Sequence, residues 1–232
     1  MTIDPEITTT NEEAQLHGIK ALIYGLSGAG KTRLAATCKN PLILSAESGL
    51  LSLKNYSLPV IKISSLNDLY NTYDWLIKGN KALYDTIYLD SISEIGEVVL
   101  ANAKESSKDN RAVYGTLIDE MKTILKMFRN LENINVVMSA KQELNKDEIT
   151  GITTYGPSMP GAKLSPQLPY LFDEVFRISI GKTQTGELYR FIQTSQDLQY
   201  IAKDRSGVLD FMEKPDLDYI FNKILGNQNG QA

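Results

Sequence analysis

Eight residues, Gly25-Leu-Ser-Gly-Ala-Gly-Lys31-Thr32, constrain this chain more than any other part of it. They spell G-x-x-x-x-G-K-[ST] and stand between an apolar run at 19–25 (IKALIYG) and a stretch with helical spacing at 31–39. A strand that turns through glycines straight into a helix belongs in a parallel sheet with that helix packed on its face. The glycines let backbone N–H groups turn inward and the helix start adds positive potential, so the turn is shaped for phosphate. Gly25, Ser27, Gly28, Ala29 and Gly30 make the cradle. Lys31 would reach the β- and γ-phosphates, and the Thr32 hydroxyl would sit on Mg²⁺. A glycine-rich turn without a ligand is the plain alternative.

The remaining pattern agrees with such a sheet. Apolar runs at 41–46, 60–63, 85–90 and 135–140 read as strands, and 92–104 reads as a helix. Leu66, Leu69, Tyr70, Tyr73, Leu76 and Ile77 share one helical face, as do Leu117, Met121, Ile124, Leu125, Phe128 and Leu131. Beyond these, 173–180, 187–195 and 198–203 look like antiparallel strands joined by turns at Gly181 and Gly186. Strand–helix alternation followed by hairpins predicts an α/β protein with a mainly parallel sheet flanked by helices and an antiparallel C-terminal extension.

Composition narrows the class further. A length of 232 residues suits one large domain, placed at 15–225 between polar tails at 1–14 and 226–232. No apolar run exceeds four residues, so no membrane span is expected, and the start MTIDPEITTTNEE, with no basic start and no apolar stretch, is not expected to act as a leader. With Cys38 the sole cysteine there is no internal disulfide, which suits the cytoplasm. The net charge of −4 excludes a generally basic nucleic-acid coat but not a local basic groove.

A phosphate-bound Mg²⁺ needs a second protein partner, and Asp90 ends the apolar strand where that carboxylate would stand. A helix-capping aspartate is the competing reading, since Ser91 and Ser93 follow. Serine at 91 leaves the next position without a catalytic glutamate. Glu47, just past the 41–46 strand, is the candidate instead, because parallel strands end at one ligand-binding edge. There it would orient the attacking water; the alternative is a solvated loop glutamate. Glu94 is a rival one turn into a helix. His17 reads as exposed, Cys38 as a small core residue and Trp75 as packing.

Here the residues carry a resemblance. The 25–32 loop, Ala46-Glu47, Leu89-Asp90-Ser91 and Ile201-Ala-Lys203-Asp-Arg205-Ser-Gly207 occur in the order of the RecA-type ATPase core. That core includes recombinases and replicative hexameric helicases of the DnaB type. The short length and Gly156-Pro-Ser-Met-Pro-Gly161 look more narrowly like small single-domain phage ATPases of the Sak group, which act in recombination and single-strand annealing.

The resemblance implies a RecA-like P-loop fold over about 18–212 and an ATPase using ATP and Mg²⁺. It implies Lys203 and Arg205 as a finger reaching a neighbouring subunit's site. Lys141 or Gln142 would fill a γ-phosphate sensor position, Lys141 being a departure from the usual Gln or His. DNA contacts would come from loops at 104–115 and 143–163. The first offers Lys104, Lys108, Arg111 and Tyr114; the second offers Lys146, Lys163 and Tyr155 against Glu143, Asp147 and Glu148. Implied partners are single-stranded DNA, further copies of the chain in a ring or filament, and a single-strand-binding protein, in a host cytoplasm if phage-encoded. Rival functions are a helicase or translocase on the same core, a nucleotide or small-molecule kinase, and a nucleotide-gated DNA-binding module with negligible turnover. The kinase would need an arginine-rich lid, and the chain is poor in arginine.

Overall fold

The apolar runs pair into a ten-stranded sheet in the computed structural model, which describes residues 7–226 apart from 48, 147–150 and 162. In chain order the elements are α1 (Thr10–His17), β1 (Lys20–Gly25), α2 (Lys31–Leu34), β2 (Pro41–Ser45), β3 (Val60–Lys62), α3 (Leu66–Ile77), β4 (Thr86–Asp90), α4 (Ile92–Ser106), α5 (Asn110–Arg129), β5 (Asn135–Lys146), β6 (Thr153–Pro157), β7 (Glu174–Lys182), β8 (Leu188–Gln193), β9 (Lys203–Asp204), β10 (Met212–Glu213) and α6 (Leu217–Ile224). The sheet order is β10-β8-β7-β1-β5-β4-β2-β3. From β7 to β3 each neighbouring pair is parallel. β8 and β9 pair antiparallel with β7, β10 with β8, and β6 folds back on β5. This is the RecA-like α/β arrangement with an antiparallel extension. Strand β5 lies between β1, which feeds the phosphate loop, and β4, which ends in Asp90.

Helices cover both faces of the parallel strands. Leu22, Tyr24, Leu44, Leu89 and Met138 pack in one core with Leu76, Val99, Leu117 and Phe128 from α3, α4 and α5. Ile23, Ile43, Tyr88, Val137 and Phe176 pack on the other side with Leu34, Leu217, Ile220 and Phe221. Burial on both sides explains why these strands read as unbroken apolar runs rather than alternating ones. Side-chain caps begin the helices: Ser65 for α3, Ser91 for α4, Asp109 for α5 and Asp216 for α6.

Local patterns misplace four segments. The expected helix at 31–39 is the short α2 followed by a tighter 3-10 turn, Ala35–Thr37, in which the Thr37 hydroxyl donates to the Leu34 carbonyl (2.8 Å) and competes with helical pairing. The polar segment read as a tail begins α1, where Thr9 and Glu12 form a reciprocal cap. Strand β5 continues past 140 to hairpin with β6, and the strand expected at 198–203 is reduced to β9. Residues 1–6 and 227–232, the outer parts of the two tails, lie outside the described residues.

Strand β7 opens with a buried carboxyl, Glu174, opposite Asp204 of β9 and 1% exposed. Burial first, then the neighbouring Asp204, pushes its pKa up to about 8. Between the unfolded value of 4.5 and about 8 the folded state therefore holds a proton that the unfolded state has lost. The stability this group contributes is complete below that window and lost as pH rises through it. Melting temperatures at pH 5.5 and 8 should show a smaller loss in Glu174→Gln than in the wild type; parallel losses would mean that Glu174 is not the titrating group.

Candidate active site

The phosphate loop is bent by its glycines and pressed against β7. A Cβ at Gly25 would lie 2.5 Å from the Ile178 carbonyl oxygen, so only glycine permits this approach. Gly30, with φ +115°, occupies a region that side chains disfavour. Lys31 leaves α2 and bends back over the loop, its ammonium donating to the carbonyls of Gly25 (2.9 Å) and Leu26 (3.1 Å). Burial lowers its pKa, while the carboxylates of Glu47 and Asp90 oppose that shift.

Across β5, Asp90 sits at the end of β4 and is 1% exposed. One carboxylate oxygen accepts from the Thr32 hydroxyl (2.7 Å) and the other from the Ser139 hydroxyl of β5 (2.5 Å). Burial raises its pKa, and these two hydrogen bonds counter the shift. A buried carboxylate held by neutral donors next to a threonine hydroxyl fits one side of a Mg²⁺ shell, because this ion takes few protein ligands and completes its shell with phosphate oxygens and water. Among the described residues no group of three or more His, Cys, Asp or Glu gathers into an all-protein cage.

Glu47 reaches the same edge. The amides of Ala46 and Glu47 donate to the Asp90 carbonyl (2.8 and 3.3 Å), and the Ser91 hydroxyl donates to the Glu47 carboxylate (2.7 Å). Ser91 also caps α4. The rival Glu94 is instead ion-paired with Lys141, whose pKa it raises. Lys141 lies in register with Gly25, beside the start of the loop, while the next residue, Gln142, pairs with Pro157 in the β5–β6 hairpin. Thus Gly25, Lys31, Thr32, Glu47, Asp90 and Lys141 converge on one edge of the sheet.

With this geometry in view, comparison with known proteins gives a family. A profile described as an AAA domain matches residues 17–206. The chain belongs to this AAA-domain family. Among solved structures it is similar to a KaiC-like protein from the hyperthermophilic archaeon Pyrococcus horikoshii OT3, with 13% identity and a TM-score of 0.42 over 76% of this chain and 78% of that one. No curated protein matches the sequence. The protein is therefore an AAA-type P-loop domain, and no helix among its described residues is long and apolar enough to cross a membrane.

Lys203 and Arg205, the residues expected to form a finger, stand at the other end of the sheet of this AAA domain. Lys203 is half-buried, its ammonium donating to the Pro169 carbonyl (2.7 Å) and to that of Phe172. Arg205, with a side chain 62% exposed, pairs with Asp173 (2.6 Å) near the start of β1. The two therefore differ in setting: the lysine closes a chain turn, and the arginine is at the surface.

The DNA candidates divide in the same way. Most of 104–115 is helical, with 107–109 joining α4 to α5, so the expected loop is a helix–helix corner. Arg111 and Tyr114 on α5 line a groove of about 810 Å³ with Ile118, Gly161 and Lys163. Lys104 and Lys108 are exposed but outside it. Tyr155 is no open platform. Its ring stacks on Tyr200 at 5.1 Å, and the Arg177 guanidinium lies 3.3 Å from the Tyr200 ring centroid. Of the acidic residues expected nearby, Asp147 and Glu148 lie outside the described residues. The 158–161 segment is seated on α4: Ser93 donates to the Ser158 carbonyl (2.7 Å), and a Cβ at Gly96 would meet Pro160 at 2.7 Å.

Two contributors escape sequence reasoning. Ser139 is a lone hydroxyl in the apolar NVVMSA run, and that isolation is the one local sign of its bond to Asp90. Arg190 on β8 donates from Nε to the Ala29 carbonyl (3.0 Å), a contact across 161 positions that no local pattern announces.

Proposed function

We propose that this AAA domain hydrolyses ATP with Mg²⁺ and couples turnover to single-stranded DNA held in the Arg111–Tyr114–Lys163 groove. The observation that carries the ATPase reading is the meeting of Thr32, Asp90 and Glu47 beside a glycine cradle and a desolvated lysine. Lys31 exchanges its loop carbonyls for β- and γ-phosphate oxygens. Thr32 and Asp90 would hold Mg²⁺, which when bound supplies positive charge to the phosphate oxygens. Glu47 accepts a hydrogen bond from the water that attacks the γ-phosphorus as the bond to ADP breaks. Lys141, in register with Gly25 at the start of the loop, would serve as the sensor of the transferred group.

The DNA half draws support from the juxtaposition of two cations and a tyrosine 44% exposed in one groove, which offers backbone neutralisation and a face for stacking. The sequence resemblance to small phage ATPases supports a role in recombination or annealing. Arg205, at the end of the sheet opposite the phosphate loop, would complete the site of another copy. The decisive experiment compares ATP hydrolysis with and without an oligothymidylate and titrates DNA binding with salt. Stimulation is expected. Reversing Arg111 and Lys163 together should weaken binding to every sequence and flatten the salt slope by roughly 1.4, at about 0.7 per lost phosphate contact. Salt-insensitive binding, or a double variant that binds as before, would exclude this groove.

A further inference from the structure

We infer that Arg190 is a positioning residue of the nucleotide site, fixing one peptide unit of the phosphate loop so that its N–H faces the phosphates; this rests on the reading of that loop as an ATP site. A phosphate cradle works through its amides, and each amide is tied to the carbonyl of the preceding residue. In a trans peptide the C=O and N–H point in opposite directions. Holding the Ala29 carbonyl from outside the loop therefore turns the Gly30 N–H to the inside. Arg190 does the holding, with Nε 3.0 Å from that oxygen.

The surroundings explain why this peptide needs a brace. Gly30 has φ +115° and no Cβ, so the chain here is free to rotate where other residues would not be. The space a side chain would fill is taken by the arginine: a Cβ would lie 3.3 Å from Arg190 Cδ and Nε and 3.4 Å from Ile178 Cδ1. Ile178 and Arg190 belong to one antiparallel hairpin, Arg190 standing opposite Ile180. That hairpin lies along the outer side of the loop, while Lys31 holds the Gly25 and Leu26 carbonyls from its own side chain. Glycine thus provides the bend, and a bond from a distant strand removes the freedom that comes with it.

The test uses two variants of the full chain. Arg190→Met keeps an unbranched chain but has no donor. Arg190→Gln places an N–H at the same bond count from Cα as the arginine Nε, without the charge. Isothermal titration with Mg-ATP should show about tenfold weaker binding for Arg190→Met, the scale of losing one hydrogen bond from a charged donor. Arg190→Gln should recover most of that loss, and kcat should change little in either, because an oriented amide serves bound substrate and transition state alike. Wild-type affinity in Arg190→Met overturns the inference. So does equal weakness in both variants, which would make charge rather than the bond the active property, or a fall in kcat at unchanged affinity. If the wild-type protein itself binds no Mg-ATP, it is the ATP reading that fails.

Discussion

Glu47→Gln is expected to bind Mg-ATP as the wild type does and to hydrolyse it about 100-fold more slowly or worse, the scale of losing a catalytic proton-transfer group. The substitution preserves shape, and the amide oxygen can keep the bond from Ser91 that positions the side chain (2.7 Å). What goes is the negative charge and the ability to draw a proton from water. Single-turnover phosphate release alongside equilibrium nucleotide binding separates the two effects. Glu94→Gln is the control, because that carboxylate is already committed to Lys141. Loss of turnover in Glu94→Gln with normal turnover in Glu47→Gln would transfer the role to Glu94.

Lys31→Ala should abolish nucleotide binding altogether. Its ammonium is the cation among the loop's own residues 25–32, and without it the nearby carboxylates of Glu47 and Asp90 face the triphosphate with no loop cation to offset them. The fold should survive, since the side chain bonds to carbonyls of its own loop. Ligand at 100 times its dissociation constant stabilises a folded protein by about 2.7 kcal/mol, enough to raise the melting temperature visibly. The wild type should show that rise with Mg-ATP, and Lys31→Ala should show none. Equal stabilisation in the two proteins would place nucleotide binding elsewhere.

What could be read from the chain alone follows the distance over which each feature is determined. The phosphate loop is contiguous, so strand, turn and cation are all visible in a dozen residues. Asp90 and Glu47 were accessible because the end of a parallel strand is itself a location. Arg190 and the packing of Tyr155 on Tyr200 depend on which hairpins lie side by side, and 45 positions separate the two tyrosines. A tyrosine in a turn-rich segment looks exposed until the partner that covers it is known. The 104–115 stretch reads as a loop for another reason: Lys104, Lys108 and Arg111 are exposed near the ends of two helices, and their charge looks the same there as in a loop.

The seat of the 158–161 segment on α4 has a mechanical meaning. The helix starts at Ser91, whose hydroxyl is bonded to Glu47, and less than two turns on, at Gly96, it meets Pro160 and Met159 with no room for even a methyl group between them. Gly161, one residue further, is a wall of the groove. Close-packed protein transmits displacement rather than absorbing it. Helix α4 therefore ties two places together: its cap carries the bond to Glu47, and its second turn is packed without slack against the segment that leads into the groove, with the smallest residue type as its contact face.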